Sequence, residues 1–189
     1  MNTEYLAIYG KNLIARGNLE TIVRKTKEVG ADIEPIVLAM NSFKRIELNW
    51  YGDVETVLGQ LPNTLVDTTG KRGRPKLGVT SKEVTLLPRH WEWLATQRGG
   101  ASVTLRRLVD QAIKNASLDD IIKIEQNQLY SLMNIFADEP GFEEASRALY
   151  RNSKVTFEAS IQTWPKEIKQ IIMEKFDAIG ELHSGQSHD

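Results

Sequence analysis

The sequence predicts an α+β protein built of an N-terminal ββαββα unit, a central strand-helix-helix segment and a C-terminal helical region. Three observations carry this. Residues 1–61 mix alternating and helical patterns around turn residues, residues 82–116 change periodicity twice, and residues 117–182 repeat apolar side chains at helical spacing. At 189 residues and 41% hydrophobic, the chain has enough apolar surface for one ordinary core or two small ones and is too apolar to be a disordered tail.

The N-terminal unit opens with YLAIYG and LIAR around Gly10, Lys11 and Asn12, which reads as a hairpin. Asn18 stands at an N-cap position, and Leu19, Ile22 and Val23 follow at i, i+3 and i+4 before Gly30 ends the helix. PIVLAM and RIELNWY then form two strands joined across Asn41 and Ser42. In the second, Ile46, Leu48 and Trp50 alternate with Arg45, Glu47 and Asn49, giving one buried and one wet face. Val54, Val57 and Leu58 mark a short helix over 53–60, completing a helix-on-sheet domain over residues 1–61.

Residues 62–81, PNTLVDTTGKRGRPKLGVTS, lack helical periodicity and are rich in Gly, Thr and Pro, so they read as a linker with a basic centre. Residues 82–116 form the central unit. Val84 and Leu86 face one side of a short strand while Glu83, Thr85 and Leu87 face the other. Pro88 starts a helix in which Trp91, Leu94 and Ala95 share a face, and Gly99-Gly100 is expected to end it. Ser102 is placed to cap a second helix, where Leu105, Leu108, Val109 and Ala112 recur at helical spacing beside Arg106 and Arg107.

The C-terminal helical domain spans 117–182. Ser117 and Asp120 form a capping-box pattern ahead of Leu118, Ile121, Ile122, Leu129, Leu132 and Met133. Further helices are predicted at 141–151, 154–162 and 165–181, the last opened by Pro165. Residues 183–189, HSGQSHD, have no apolar anchor and read as a disordered tail.

The formal net charge of −1 hides an uneven distribution. Residues 1–66 carry 7 basic and 8 acidic side chains, residues 67–116 carry 10 and 4, and residues 117–189 carry 7 and 13. A basic middle within a nearly neutral chain is the footprint expected for binding a polyanion, and a solvated charged face is the alternative.

Composition also excludes several functions. No cysteine is present, which removes disulfides and thiol nucleophiles, and three His leave little for a metal site. No apolar run is long enough for a membrane span, and MNTEYLAIYGKN lacks the flanks of a secretory signal, so a cytoplasmic, nucleoid-associated location is expected. His90, His183 and His188 are scattered, and the one Gly-x-Gly lies in the basic linker without a dinucleotide-site context, so neither enzymatic activity nor a cofactor is expected.

The central strand of about five residues, helix of about ten, tight turn and helix of about fourteen resemble the ribbon-helix-helix family of bacterial DNA-binding proteins. In that family two chains intertwine, their strands pair into a ribbon that enters the major groove, and outward side chains meet base edges. The resemblance implies a homodimer, or higher homo-oligomer, on double-stranded DNA. By position it places Glu83, Thr85 and Leu87 at the bases, with Lys82 and Arg89 offsetting Glu83 near phosphates. It also places the amides of Ser102, Val103 and Thr104 on phosphates. Arg, Gln and Asn, the strong base readers, are absent from the outward positions. A strand and helical hairpin within a monomeric core is the alternative.

Upstream, Lys71-Arg72-Gly73-Arg74-Pro75-Lys76 resembles an AT-hook. Gly73 permits close approach, Pro75 favours an extended backbone, Arg72 and Arg74 suit a narrow, negative A/T-rich minor groove, and Lys71 and Lys76 would meet phosphates. A flexible basic tether is the alternative. The runs Arg72 to Val79, Val84 to Trp91 and Gly99 to Ser102, with Trp164-Pro165, also resemble a bacterial family of uncharacterised proteins, domain of unknown function 2239. That resemblance implies no activity. The expected function is a dimeric transcriptional repressor holding DNA through a major-groove ribbon and a minor-groove arm. The alternatives are a nucleoid-associated binder of A/T-rich DNA and an antitoxin-like protein-interaction module.

Overall fold

The computed structural model describes residues 3–61 and 82–185. The chain divides into two compact units, Met1–Thr68 with Ile121–Asp189, and Thr69–Asp120. The first unit contains both the N-terminal sheet and most of the C-terminal helical region, which sequence pattern alone placed in separate domains.

Its sheet begins with the hairpin of β1 (Tyr5–Tyr9) and β2 (Asn12–Gly17), paired antiparallel. Gly10 and Lys11 both adopt positive φ, 53° and 69°. Two consecutive left-handed residues match the right-handed twist of the flanking strands, the reason such turns close tight hairpins. Helix α1 (Leu19–Val29) follows, and the Asn18 side chain accepts a hydrogen bond from the Thr21 amide at 2.8 Å. Strands β3 (Ile36–Ala39) and β4 (Arg45–Ile46) complete the sheet in the order β2-β1-β3-β4. Ladder pairing in β4 covers two residues only. Leu48 and Trp50 continue the alternation beyond it, and Trp50 is buried. Asp53 then caps α2 (Val54–Gly59) through the Thr56 amide at 2.8 Å.

Both faces of β1 are covered. Tyr5 and Ala7 join Leu19, Ile22, Val23, Val37 and Val57 in a core beneath α1 and α2. Leu6, Ile8 and Leu38 alternate to the opposite face and are equally buried. An apolar strand buried on both sides cannot stand as half of a two-layer domain, and the C-terminal helices supply the second cover.

These helices are α5 (Leu118–Met133), which runs into a single 3-10 turn over Asn134–Phe136, then α6 (Phe142–Tyr150), α7 (Lys154–Ser160) and α8 (Lys166–Gly185), the last packing on β2. The Ser117 hydroxyl accepts from the Asp120 amide at 3.1 Å and donates to the Asp120 carboxylate at 2.7 Å. Phe157 and Phe176 stack with centroids 4.1 Å apart, and full burial of side chains this size contributes roughly 1.5–3 kcal/mol each. The buried Gln126 donates to the Leu149 carbonyl, and the Trp164 indole to that of Pro140. Helix α8 also takes in residues 183–185 of the expected tail, while 186–189 lie outside the described residues. Ile179 is buried and Leu182 and His183 are half-buried, so packing carries the helix through Gly185.

Candidate nucleic-acid interface

The second unit is built around a helical hairpin. Residues 82–87 lead into it without forming a ladder, so the expected strand has no partner within the described residues of the single chain. Lys82, Glu83, Val84, Thr85 and Leu87 are exposed and Leu86 is half-buried. Pro88 occupies the first turn of α3 (Pro88–Ala95), where its missing N–H costs no helical hydrogen bond. The helix ends four residues before the glycine pair expected to stop it. The Trp93 carbonyl accepts from the Thr96 hydroxyl at 2.7 Å and from the Gln97 side chain at 3.4 Å, and these polar groups satisfy the last turn.

Gly99 and Gly100 instead open α4 (Gly100–Lys114), with φ of 93° and 74°. A Cβ on Gly99 would meet the Val103 side chain at 3.1 Å in a conformation that L-residues avoid. Ser102 therefore lies inside the first turn and does not cap the helix. The free amides of a helix are those of its opening residues, and the Gly100 amide already donates to the Gln97 carbonyl. That leaves Ala101 and Ser102 as the available donors, earlier than the expected set of Ser102, Val103 and Thr104. Val103 is exposed, whereas Thr104 is 2% exposed and turned inward.

Leu94 and Thr104 are the buried side chains among the described residues of this segment. Trp91, Leu108, Val109 and Ile113 are exposed by 43%, 38%, 54% and 69%, although the apolar periodicity would have placed the first three in a core. A helical hairpin is a single layer, so this face has no second layer over it among the described residues of the unit. Lys71, Arg72, Gly73, Arg74, Pro75 and Lys76 lie outside the described residues.

Electrostatics separate the two units. In the first, Lys11, Arg16, Arg24, Lys25, Arg45, Arg147, Lys154 and Lys175 sit in ion pairs with carboxylates, while Lys27, Lys44, Lys123, Arg151, Lys166 and Lys169 do not. In the second, none of the described cations Lys82, Arg89, Arg98, Arg106, Arg107 and Lys114 does, and all are exposed. Four of them, Arg98, Arg106, Arg107 and Lys114, lay outside the expected set. For Arg106, Arg107 and Lys114 the signal was present in the sequence as the polar arc of α4, opposite the apolar stripe; Arg98 lies in the turn before that helix. His90 is exposed on α3.

The described residues contain no His and carboxylate cluster able to hold a metal ion, and no helix among them is long and apolar enough to cross a membrane. The family model described as "Uncharacterized protein conserved in bacteria (DUF2239)" matches residues 4–175. No curated protein and no solved structure matches the chain.

Proposed function

The chain belongs to that DUF2239 family, and from this premise we propose that it binds double-stranded DNA as a homodimer through the segment 82–116 and acts as a transcriptional repressor. The observation that carries the reading is the contrast in cation use: the first unit holds eight of its cations in ion pairs, whereas Lys82 and Arg89, on and beside the segment that leads into α3, are exposed and in no ion pair. A free exposed cation exchanges loosely held counterions for phosphates at no cost in broken ion pairs.

Dimerisation follows from the exposed apolar face. Two buried side chains among the described residues make a meagre core for a helical hairpin, and burying its apolar face against a second copy supplies the missing layer. In a ribbon-helix-helix-like dimer, Trp91, Leu108 and Val109 pack against their copies, and residues 82–87 gain a strand partner for their backbone groups. The ribbon then presents Glu83, Thr85 and Leu87 to the major groove, with Lys82 and Arg89 toward phosphates. The Ala101 and Ser102 amides at the start of α4 meet the backbone, and the arm Lys71 to Lys76 enters the neighbouring minor groove. The lack of strong base readers on the ribbon favours, as a second reading, a nucleoid-associated protein that binds A/T-rich DNA broadly.

The test is fluorescence anisotropy of the full chain on A/T-rich and G/C-rich duplexes across a salt series. Tight, salt-sensitive binding with A/T preference is expected. Absence of binding at low salt would overturn the proposal, and competition by bulk A/T-rich DNA separates the architectural reading from the repressor.

A further inference from the structure

We propose that the outer face of α4 is a second DNA-contacting surface, through which the dimer bridges two duplexes; the inference rests on the DNA-binding dimer proposed above. Helix α4 has two unlike sides. At 3.6 residues per turn, Ala101, Leu105, Leu108, Val109 and Ala112 fall on one broad arc, the one assigned to the second copy. Val103, Arg106, Arg107, Asp110, Gln111 and Lys114 fall on the other and line an open groove along the helix. Burying the first arc in a dimer turns the second outward on each flank, so a two-fold assembly carries two such faces pointing away from its centre.

The chemistry of the groove favours a polyanion over a protein. Arg106 and Lys114 are eight residues apart, roughly 12 Å along the axis, a span that covers about three or four phosphates at 3.4 Å of axial rise per strand. Arg107 lies between them. None of the three is in an ion pair, although Asp110 stands at i+4 from Arg106 and i−4 from Lys114. The Arg106 guanidinium donates only to the Ser102 carbonyl of its own helix, at 3.2 Å. Val103 is the one apolar side chain lining the groove, with Ile113 exposed at its border toward the apolar arc, and no aromatic anchor of the kind that holds protein interfaces lies in it. Asp110 is the one unfavourable group for DNA, and it provides a control of opposite sign.

The experiment uses the full-length protein, an A/T-rich duplex immobilised on beads and a second, labelled duplex in solution. Wild type is expected to capture the labelled duplex. The double variant R107A/K114A should capture at least tenfold less while its anisotropy affinity for one duplex stays within twofold of wild type. D110N, which removes a like charge facing phosphates, should hold the second duplex at higher salt than wild type. Unchanged capture by either variant would overturn the inference, as would a parallel loss of single-duplex affinity in R107A/K114A. Normal capture by R107A/K114A combined with a lower mass in solution would assign the face to self-association instead. A wild type that binds one duplex but captures no second removes this inference alone; one that binds no duplex removes the DNA-binding reading itself.

Discussion

The Lys11 ammonium donates to the Glu139 carboxylate at 2.7 Å, joining residues 128 positions apart across the first unit. The same ammonium lies 2.7 Å from Asp138, so the tip of the first hairpin is tied to the turn ahead of α6. Arg16 on β2 approaches Glu174 on α8 at 3.9 Å, a second link between strand and helix layers.

The Lys11 contact has a defined pH dependence. Its hydrogen bond and charge hold the Asp138 carboxyl below its usual value, and Asp138 followed by Glu139 raises Lys11. A depressed carboxyl contributes stability above its unfolded value of about 3.9 and loses it as pH falls through the folded value; a raised lysine contributes below about 10.4 and loses it as pH rises through its folded value. Lys11→Met should therefore lower Tm by a few degrees, on the order expected for an exposed network, between about pH 5 and 9. The difference should shrink at both extremes. A constant difference from acid to alkaline pH in differential scanning fluorimetry would show that the ion pairs are not its source.

Gly141 should be intolerant of a side chain. It precedes α6 at φ 84°, and a Cβ there would collide with the Ser160 carbonyl oxygen. Gly141→Ala should cost about 2–4 kcal/mol in urea unfolding, since strain and a backbone clash combine. An unshifted midpoint would mean that α6 and α7 separate at little cost.

Leu108→Asp places a charge on the apolar face assigned to the second copy, where burial disfavours it. Light scattering should show a monomer and anisotropy should show DNA binding lost, with the far-ultraviolet circular dichroism of the first unit retained. A dimer that still binds DNA would refute the ribbon-helix-helix assignment.

The salt dependence of single-duplex binding can be apportioned. Lys82→Ala with Arg89→Ala, and separately Arg72→Ala with Arg74→Ala, each remove two cations from each of two protomers and should flatten the slope of log K against log salt by up to about 4, leaving the dimer intact. Unchanged affinity and slope in the second pair would remove the arm from the mechanism.

Local signals in this chain were legible because they depend on neighbours in sequence. The Gly10-Lys11 turn, the Asn18 and Asp53 caps, the Ser117-Asp120 box and Pro88 at the start of α3 all follow from backbone preferences and side-chain reach over three or four residues. The polar ends of the central helices were less legible. Thr96 and Gln97 stop α3 early, and the Gly99-Gly100 pair could equally close one helix or open the next. The basic character of the middle third was visible in composition, but whether its cations were free was not, because pairing depends on which carboxylates the fold brings near.

By itself the sequence determined the helices and the first hairpin of this protein, the uneven placement of its charge and the amphipathic character of α4, since each reflects periodicity or local chemistry along one stretch of chain, whereas residues 82–87 form no ladder among the described residues. Tertiary structure alone decided that the sheet and the C-terminal helices share one unit and that Thr104 faces inward. It alone decided, too, that the apolar arc of α4 lies exposed while the cations of the central hairpin are unpaired. Burial and ion pairing are contacts between distant segments, and periodicity shows that a face seeks cover without showing what covers it.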